Sequence, residues 1–242
     1  MFIDTHCHFS EREDYPVESV YERAVNSGVT TMINVGFNMK SSRSLKAFSD
    51  THKGVYYAVG VHPDDESEVN EKTLAELYEM AKDVKCVAIG EIGLDYYWDK
   101  EHKEIQKEML HAQLRLALEL DKPVIIHDRE AHADSLRVVK EFPGVRGVFH
   151  CYSGSVEMAQ GLTKLGWMFS FGGSVTFVGG NTGREVCVQG GDPGSLELEV
   201  AFGDSTAMAP SFPLRVVEES VVKLSVWILS DGETPVREYS AQ

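Results

Sequence analysis

Long apolar runs are missing from this sequence of 242 residues, of which 43% are hydrophobic. No stretch approaches the roughly 20 apolar residues that a helix needs to cross a bilayer. The amino terminus also lacks a basic segment followed by an apolar one, the pattern of a secretory signal. These absences exclude a helical membrane protein and predict a cytoplasmic protein with no membrane association.

Positive charge and cysteine are also scarce. The chain has 23 Lys and Arg against 38 Asp and Glu, a formal net charge of −15. Such a chain repels polyanions in bulk, which argues against nucleic-acid binding through general electrostatic attraction. It does not exclude an enzyme whose bound cations supply local positive charge. The four cysteines include no C-x-x-C pair, so we predict reduced thiols rather than a disulfide framework.

Apolar runs alternate with amphipathic stretches along most of the chain. The predicted strands are 1–5, 29–35, 55–61, 84–92, 123–127, 145–150 and 167–171. The predicted helices include 17–27, 71–82, 101–120 and 132–140. This alternation indicates βαβ units and a parallel sheet. We therefore predict an α/β protein with a (β/α)₈ TIM barrel, a fold of roughly 250 residues, as a single domain over 1–242.

The chain is less regular after residue 177. Six of the 21 glycines fall between Gly179 and Gly194, where the seventh helix should lie. Apolar and acidic residues alternate from 196 to 200, a candidate eighth strand, and 213–230 is apolar enough for a last helix. We expect the region from the seventh helix onward to be atypical or incomplete. Divergence and a local reading-frame error over 178–230 both account for it.

Side chains that bind metals lie at the carboxyl ends of several predicted strands, where a (β/α)₈ barrel builds its active site. His6 and His8 lie two residues apart and so share one face of the first strand. They could hold one divalent cation, and a solvated pair is an equal alternative. Asp4, on the same face, could orient a ligand histidine.

Glu91, His127 and His150 each close a later apolar run. An unpaired buried carboxylate is costly, so Glu91 is either a surface turn residue or a ligand whose two oxygens bridge two cations. A single histidine at a strand end is more often a hydrogen-bonded core residue than a ligand. Repetition at several strand ends favours ligands at His127 and His150. Asp95 is expected in a loop or behind the ligands.

Three further residues complete the predicted site. His62 follows the third strand and could contact substrate or donate a proton, although a plain loop histidine is equally possible. Arg129 could hold a substrate anion or pair with a carboxylate. An acid from the eighth strand should bind the first cation and take the proton of the attacking water, and we place it at Asp204. The rivals on composition alone are Asp192, Glu197 and Glu199.

Five motifs in order make residues 1–177 resemble the TatD-related metal-dependent deoxyribonucleases, which are amidohydrolase-type barrels. These are the segments Phe2–His8, Gly60–Pro63, Ile89–Tyr96, Pro123–Arg129 and Phe149–Gly154. A further family motif is only partly matched, by Asp204-Ser205 and Met208-Ala209-Pro210. Family-like sequence resumes near residue 232.

The resemblance implies His6 and His8 on one metal, His127 and His150 on the other, and Glu91 between them. It implies a 3′–5′ exonuclease-type deoxyribonuclease with DNA as substrate. Two divalent cations, Zn²⁺, Mn²⁺ or Mg²⁺, would activate the attacking water. We expect a monomer without an obligate protein partner. The alternatives are a metal-dependent hydrolase of a small ester, amide or organophosphate, and a catalytically impaired barrel.

Overall fold

The structure is a computed structural model that describes residues 2–9 and 16–171, together with the backbone of three short strands at 187–189, 194–198 and 212–217. The chain divides into two compact units, Met1–Val148 and Phe149–Gln242, and each is described by itself. The single domain over 1–242 stays a prediction. Within the described residues, no helix is both long and apolar enough to cross a membrane.

The first unit alternates strands and helices, as the apolar pattern predicts. The strands are β1 (Phe2–Cys7), β2 (Val29–Val35), β3 (Val55–Val59), β4 (Cys86–Asp95), β5 (Val124–Arg129) and the start of β6 (Gly147–Phe149). The helices are α1 (Val17–Asn26), α2 (Met39–Thr51), α3 (Glu71–Ala81), α4 (Lys103–Glu119) and α5 (His132–Lys140). A short 3₁₀ helix, Pro63–Glu68, follows β3.

The strands of this unit are neighbours in sequence order, and β1 to β5 pair in parallel. Their buried side chains Val35, Ala58, Ala88 and Ile125 pack as one cluster, with Ile33 and Val148 against it. Each of β2 to β5 contributes one of the four buried residues, so the cluster holds the strands in register. This is the sheet of a (β/α)₈ barrel, as predicted.

The second unit contains the last residue of β6, then α6 (Val156–Lys164) and β7 (Met168–Phe169). A separate three-stranded sheet follows, with β8 (Cys187–Gln189), β9 (Gly194–Leu198) and β10 (Phe212–Val217) in the order β8-β10-β9. In this sheet β10 is parallel to β8 and antiparallel to β9.

Two predictions about the carboxyl end are therefore wrong. The alternating segment 196–200 begins in a strand, but β9 pairs antiparallel outside the barrel sheet instead of forming its eighth strand. Alternation of apolar and acidic residues suits an antiparallel strand with one solvated face, whereas buried barrel strands are apolar on both faces. The helix predicted over 213–230 overlaps a strand instead, β10, whose sequence is Phe-Pro-Leu-Arg-Val-Val.

Candidate metal centre

The first unit brings together five of the residues that the sequence singles out. His6 lies on β1 and His8 just beyond it, Glu91 on β4, His127 on β5, and His62 in the loop after β3. Strand β4 extends to Asp95, three residues beyond the predicted end, and therefore also includes the carboxylate predicted in a loop or behind the ligands. The register between β4 and β5 shifts between Ile89 and Ile92, next to Glu91.

The first ligand group consists of His6, His8 and Glu91. The Nε2 atoms of the two histidines lie 3.1 Å apart. Glu91 Oε2 lies 3.4 Å from Nε2 of His6 and 3.7 Å from Nε2 of His8. His8 Nδ1 donates to the Val35 carbonyl at 2.8 Å, which leaves Nε2 as the ring atom that can coordinate a cation. Asp4 accepts the backbone N–H of His6 at 3.0 Å and so fixes the strand end.

The second ligand group consists of His62, Glu91 and His127. His127 Nδ1 lies 3.2 Å from Glu91 Oε1, and the rings of His62 and His127 meet edge to face at 4.2 Å between centroids. His62 was predicted as a substrate contact or proton donor, and the geometry also allows it to be a ligand. Burial, with the nearby charge of His127, lowers the pKa of His62 to about 4. A neutral imidazole is the form that coordinates a metal.

Glu91 belongs to both groups, and its two oxygens face different histidines. Oε2 faces His6 and His8, whereas Oε1 faces His127. The residue is 6% exposed. Burial acts to raise the pKa of Glu91, but hydrogen bonds from His127 and His6 outweigh it and hold the pKa well below its usual range. The group is therefore an ionised carboxylate between two sets of nitrogen donors, which is the geometry of a bridging ligand.

Asp95 holds His127 from the side opposite Glu91. Its Oδ2 lies 2.9 Å from His127 Nε2, and the carboxylate is 1% exposed. Burial acts to lower the pKa of His127, but the bonds to Asp95 and Glu91 raise it to about 9. The predicted place of Asp95 behind the ligands agrees with this contact.

Two glycines allow the ligand strands to approach each other. A Cβ at Gly93 would collide with the backbone carbonyl of His127, and one at Gly90 would lie 2.7 Å from Cβ of Ile125. Any larger residue would push β4 away from β5 and separate Glu91 from His127. The glycines on both sides of Glu91 are therefore needed for the contact itself.

Two buried glutamines position the ends of β3 and β4, and neither was predicted from the sequence. Gln113 accepts the Val61 N–H at 2.8 Å and donates to the Val61 carbonyl at 3.0 Å. Gln106 accepts the Asp95 N–H at 2.9 Å and donates to the Asp95 carbonyl at 3.0 Å. They lie seven residues apart on α4, so they share one face of the helix. A polar residue at a buried helical position was the available signal.

Replacing Gln113 with leucine should lower the free energy of unfolding by roughly 2–4 kcal/mol, because the buried N–H and C=O of Val61 both lose their partner. The urea midpoint of the metal-free protein measures this. Glu108→Leu, on the exposed side of the same helix, is the matched control. Equal midpoints for the two variants would show that water replaces the lost bonds.

The raised pKa of His127 predicts how the metal-free protein responds to pH. Because this pKa is about 9 when folded and 6.5 ordinarily, the ion pairs stabilise the fold fully below pH 6.5. The contribution is lost as pH rises through about 9. The difference in unfolding free energy between wild type and His127→Gln, measured in chelator, should therefore shrink over this interval.

Asp95→Asn provides the second arm of this pH experiment. Without the Asp95 carboxylate, the pKa of His127 should fall and the loss of stability should move to lower pH. A difference in unfolding free energy between wild type and His127→Gln that stays constant from pH 6.5 to about pH 9 would contradict the assigned ion pairs.

The remaining predicted site residues do not belong to either ligand group. His150 belongs to the second unit, where its Nδ1 lies 3.1 Å from Ser170 Oγ and its Nε2 lies 3.1 Å from Cys151 Sγ. Arg129, at the end of β5, lies over the rings of Tyr97 and Trp98. Asp204 lies outside the described residues, as do its rivals Asp192 and Glu199, and Glu197 is described only as part of β9. Their roles stay predictions.

Comparison with solved structures finds the same fold. The crystal structure of YjjV, a TatD homologue from Escherichia coli K12, matches with a TM-score of 0.65 and 33% identity, over 73% of this chain and 70% of that one. A TatD-family hydrolase from Entamoeba histolytica also has a TM-score of 0.65, at 24% identity over 73% and 67% of the two chains, which shows the fold alone. Together, the barrel and its histidine–carboxylate groups define a metal-dependent hydrolase.

Sequence comparison identifies the family. The metal-dependent hydrolase YabD of Bacillus subtilis strain 168 is 40% identical over 189 residues, which are 77% of this chain and 74% of that one. The model of the TatD related DNase family matches residues 3–193. The chain belongs to the TatD-related DNase family. The match extends 16 residues beyond the predicted limit of 177 and ends before Asp204.

Proposed function

We propose that this protein is a deoxyribonuclease of the 3′–5′ exonuclease type that hydrolyses phosphodiester bonds with two divalent cations. The observation that carries the proposal is the position of Glu91, whose two oxygens each face a separate group of histidines. Two cations held there would supply the positive charge that activates water and neutralises the attacking and leaving oxygens. The family name supports DNA as the substrate.

The chain's own residues have separate tasks in this proposal. By the family resemblance, His6, His8 and Glu91 would hold the first cation, and His127, His150 and Glu91 would hold the second. Asp204 is the further ligand of the first cation and accepts the proton of the attacking water. Histidine and carboxylate donors together suit Zn²⁺ and Mn²⁺, whereas Mg²⁺ prefers oxygen donors.

Substrate contacts come from two further residues. His62 lies against His127 and is neutral near pH 7, so it can share a hydrogen bond with substrate or complete the second ligand group. Arg129 is exposed, and among the described residues no carboxylate pairs with it. A free guanidinium two residues beyond His127 on the same strand can contact a phosphate.

A second candidate is the hydrolysis of a small ester, amide or organophosphate. The net charge of −15 favours it, because the chain as a whole repels a polyanion. The same barrel and metal pair can support many substrates. The irregular segment 178–230 motivates a third candidate, a barrel that binds metal without turnover.

One experiment separates these candidates. Purified protein is loaded with Zn²⁺, Mn²⁺ or Mg²⁺ and assayed on a short single-stranded DNA labelled at its 5′ end, beside a panel of small esters, lactones and phosphotriesters. For the proposed nuclease we expect products that shorten from the 3′ end. Turnover confined to the small substrates would favour the second candidate. Bound metal without any turnover would favour the third.

A further inference from the structure

Two large aromatic side chains next to the metal centre are exposed. Tyr97 is 48% exposed and Trp98 is 68% exposed, and their rings meet edge to face at 4.8 Å between centroids. We call this pair the aromatic ledge. Neighbouring exposed aromatic rings are informative because such surface is usually buried unless it binds something.

The backbone of the aromatic ledge is fixed to the metal centre. Asp95 Oδ1 accepts the backbone N–H of Tyr97 at 2.8 Å and that of Trp98 at 2.9 Å. The other oxygen of the same carboxylate contacts His127 Nε2. Gln106 in turn holds the Asp95 backbone. One buried carboxylate therefore connects the ledge to a predicted metal ligand, so the ledge is held in place before any ligand arrives.

Three cations lie at or near the ledge, in a loop region that also carries Asp99 and Glu101. The Arg129 guanidinium lies 4.1 Å from the ring centre of Tyr97 and 5.5 Å from that of Trp98. The Lys103 ammonium lies 4.4 Å from the ring centre of Tyr96, and Lys100 is exposed. None of the three cations has an ion pair among the described residues. These three cations are therefore available to contact a phosphate.

A surface cavity of about 520 Å³ adjoins the ledge. It is lined by Tyr96, Tyr97, Lys100, Lys103 and Glu130. Glu130 brings one carboxylate, so cations outnumber anions two to one in the lining. Two aromatic rings and two cations in one lining suit a planar ring attached to a phosphate.

Single-stranded nucleic acid is bound in this manner by many proteins, through bases stacked on aromatic rings and phosphates held by cations. Arg129 follows His127 by two residues on β5, so both lie on the same face roughly 7 Å apart. A phosphate on Arg129 would therefore be near the metal centre. A duplex fits less well, because its bases are stacked on each other and cannot reach an exposed ring.

We propose that the aromatic ledge binds the base of an unpaired nucleotide beside the scissile bond of single-stranded DNA, with Arg129 and Lys100 on the adjacent phosphates. This rests on the proposed function, since it places a substrate strand at the same centre. Trp98 supplies the main stacking face, because it is the more exposed ring and Arg129 lies closer to Tyr97.

The test compares two strands that differ only in their bases. Metal-loaded full-length protein is titrated with a fluorescent ten-nucleotide thymidine strand and with an abasic strand of equal length, both phosphorothioate-linked to resist hydrolysis. Stacking of one base is typically strong enough for a preference of roughly 5- to 150-fold for the thymidine strand. Trp98→Ala should abolish this preference, and Trp98→Phe should keep most of it.

Two further variants separate stacking from charge. Tyr56→Ala removes a 39% exposed aromatic ring on β3, outside the ledge, and should keep the preference. The double variant Lys100→Gln, Arg129→Gln should weaken the binding of both strands similarly and reduce the salt dependence of binding. A preference for the thymidine strand that persists in Trp98→Ala would contradict the role proposed for the ledge.

The same measurements distinguish this proposal from the proposed function. If the wild type cleaves DNA but binds abasic and thymidine strands equally, the role proposed for the ledge is wrong and the proposed nuclease function is unaffected. If the wild type shows the base preference but cleaves only small esters, the proposed nuclease function is wrong and the ledge remains as a binding site. A matched duplex, titrated in the same way, that binds more tightly than the single strand would contradict the role proposed for the ledge.

Discussion

Replacing Glu91 with glutamine should remove the two cations that we propose for the metal centre. Among the described residues, the Glu91 carboxylate is the one side chain common to the two ligand groups, and an amide NH₂ cannot replace the oxygen that it loses. Loss of a residue that only supports a ligand typically lowers metal affinity 10- to 100-fold, so loss of a shared ligand should lower it further. Metal content after gel filtration, measured by mass spectrometry, should fall at both positions, and hydrolysis should fall with it.

Glu119→Gln is the control for this experiment. It makes the same chemical change at an exposed position near the end of α4, and it should leave metal content unchanged. A Glu91→Gln protein that keeps one equivalent of metal would show that the carboxylate serves a single cation. An unchanged stoichiometry would remove Glu91 from the metal centre altogether.

Replacing Asp204 with asparagine should reduce turnover by about 10²–10⁴-fold, the usual contribution of a general base. The asparagine still offers one oxygen, so metal content should fall less than activity does. Steady-state kinetics beside metal analysis of the same preparation measures both effects. The assignment rests on the partial motif Asp204-Ser205 with Met208-Ala209-Pro210, in a segment outside the described residues.

The rival acids provide the comparison. Asp192→Asn, Glu197→Gln and Glu199→Gln should each retain most of the activity if Asp204 is the base. If the wild type is active and Asp204→Asn matches it, the acid lies elsewhere. A wild type that binds metal without turnover would instead show that the irregular carboxyl end has impaired the enzyme.

The order of strands and the position of Glu91, His127 and the two amino-terminal histidines were predictable from the sequence. Each strand is a short apolar run, and each ligand is a polar residue that interrupts such a run. A carboxylate or imidazole in an apolar strand conflicts with its surroundings unless it has a function there. That conflict is visible without any coordinates.

Helix α2 was missed for a physical reason. Its buried positions are Met39, Ser42, Leu45 and Ser49, so half of the buried face is polar and the apolar period is incomplete. Ser42 is buried because its hydroxyl bonds to the Gly60 carbonyl. The local signal was instead Asn38, which caps the helix and forms a reciprocal capping box with Ser41.

The grouping of His62 with His127 and Glu91 was not predictable from its motif alone. The Gly-Val-His-Pro segment places a histidine after β3, but its distance from β5 depends on tertiary contacts. The His62 N–H donates to the Phe37 carbonyl at 2.7 Å, and the preceding residue is held by Gln113. Contacts between residues more than 20 positions apart set this loop, and local patterns do not encode them.

The two glutamines of α4 make one rigid helix the common support of two separate strand ends. Gln113 fixes the chain just before His62, and Gln106 fixes the backbone of Asp95, whose carboxylate holds His127. Opening of α4 would therefore release both at once. The metal centre and α4 thus belong to the same cooperative unit, and we expect this part of the barrel to open as a whole and not strand by strand.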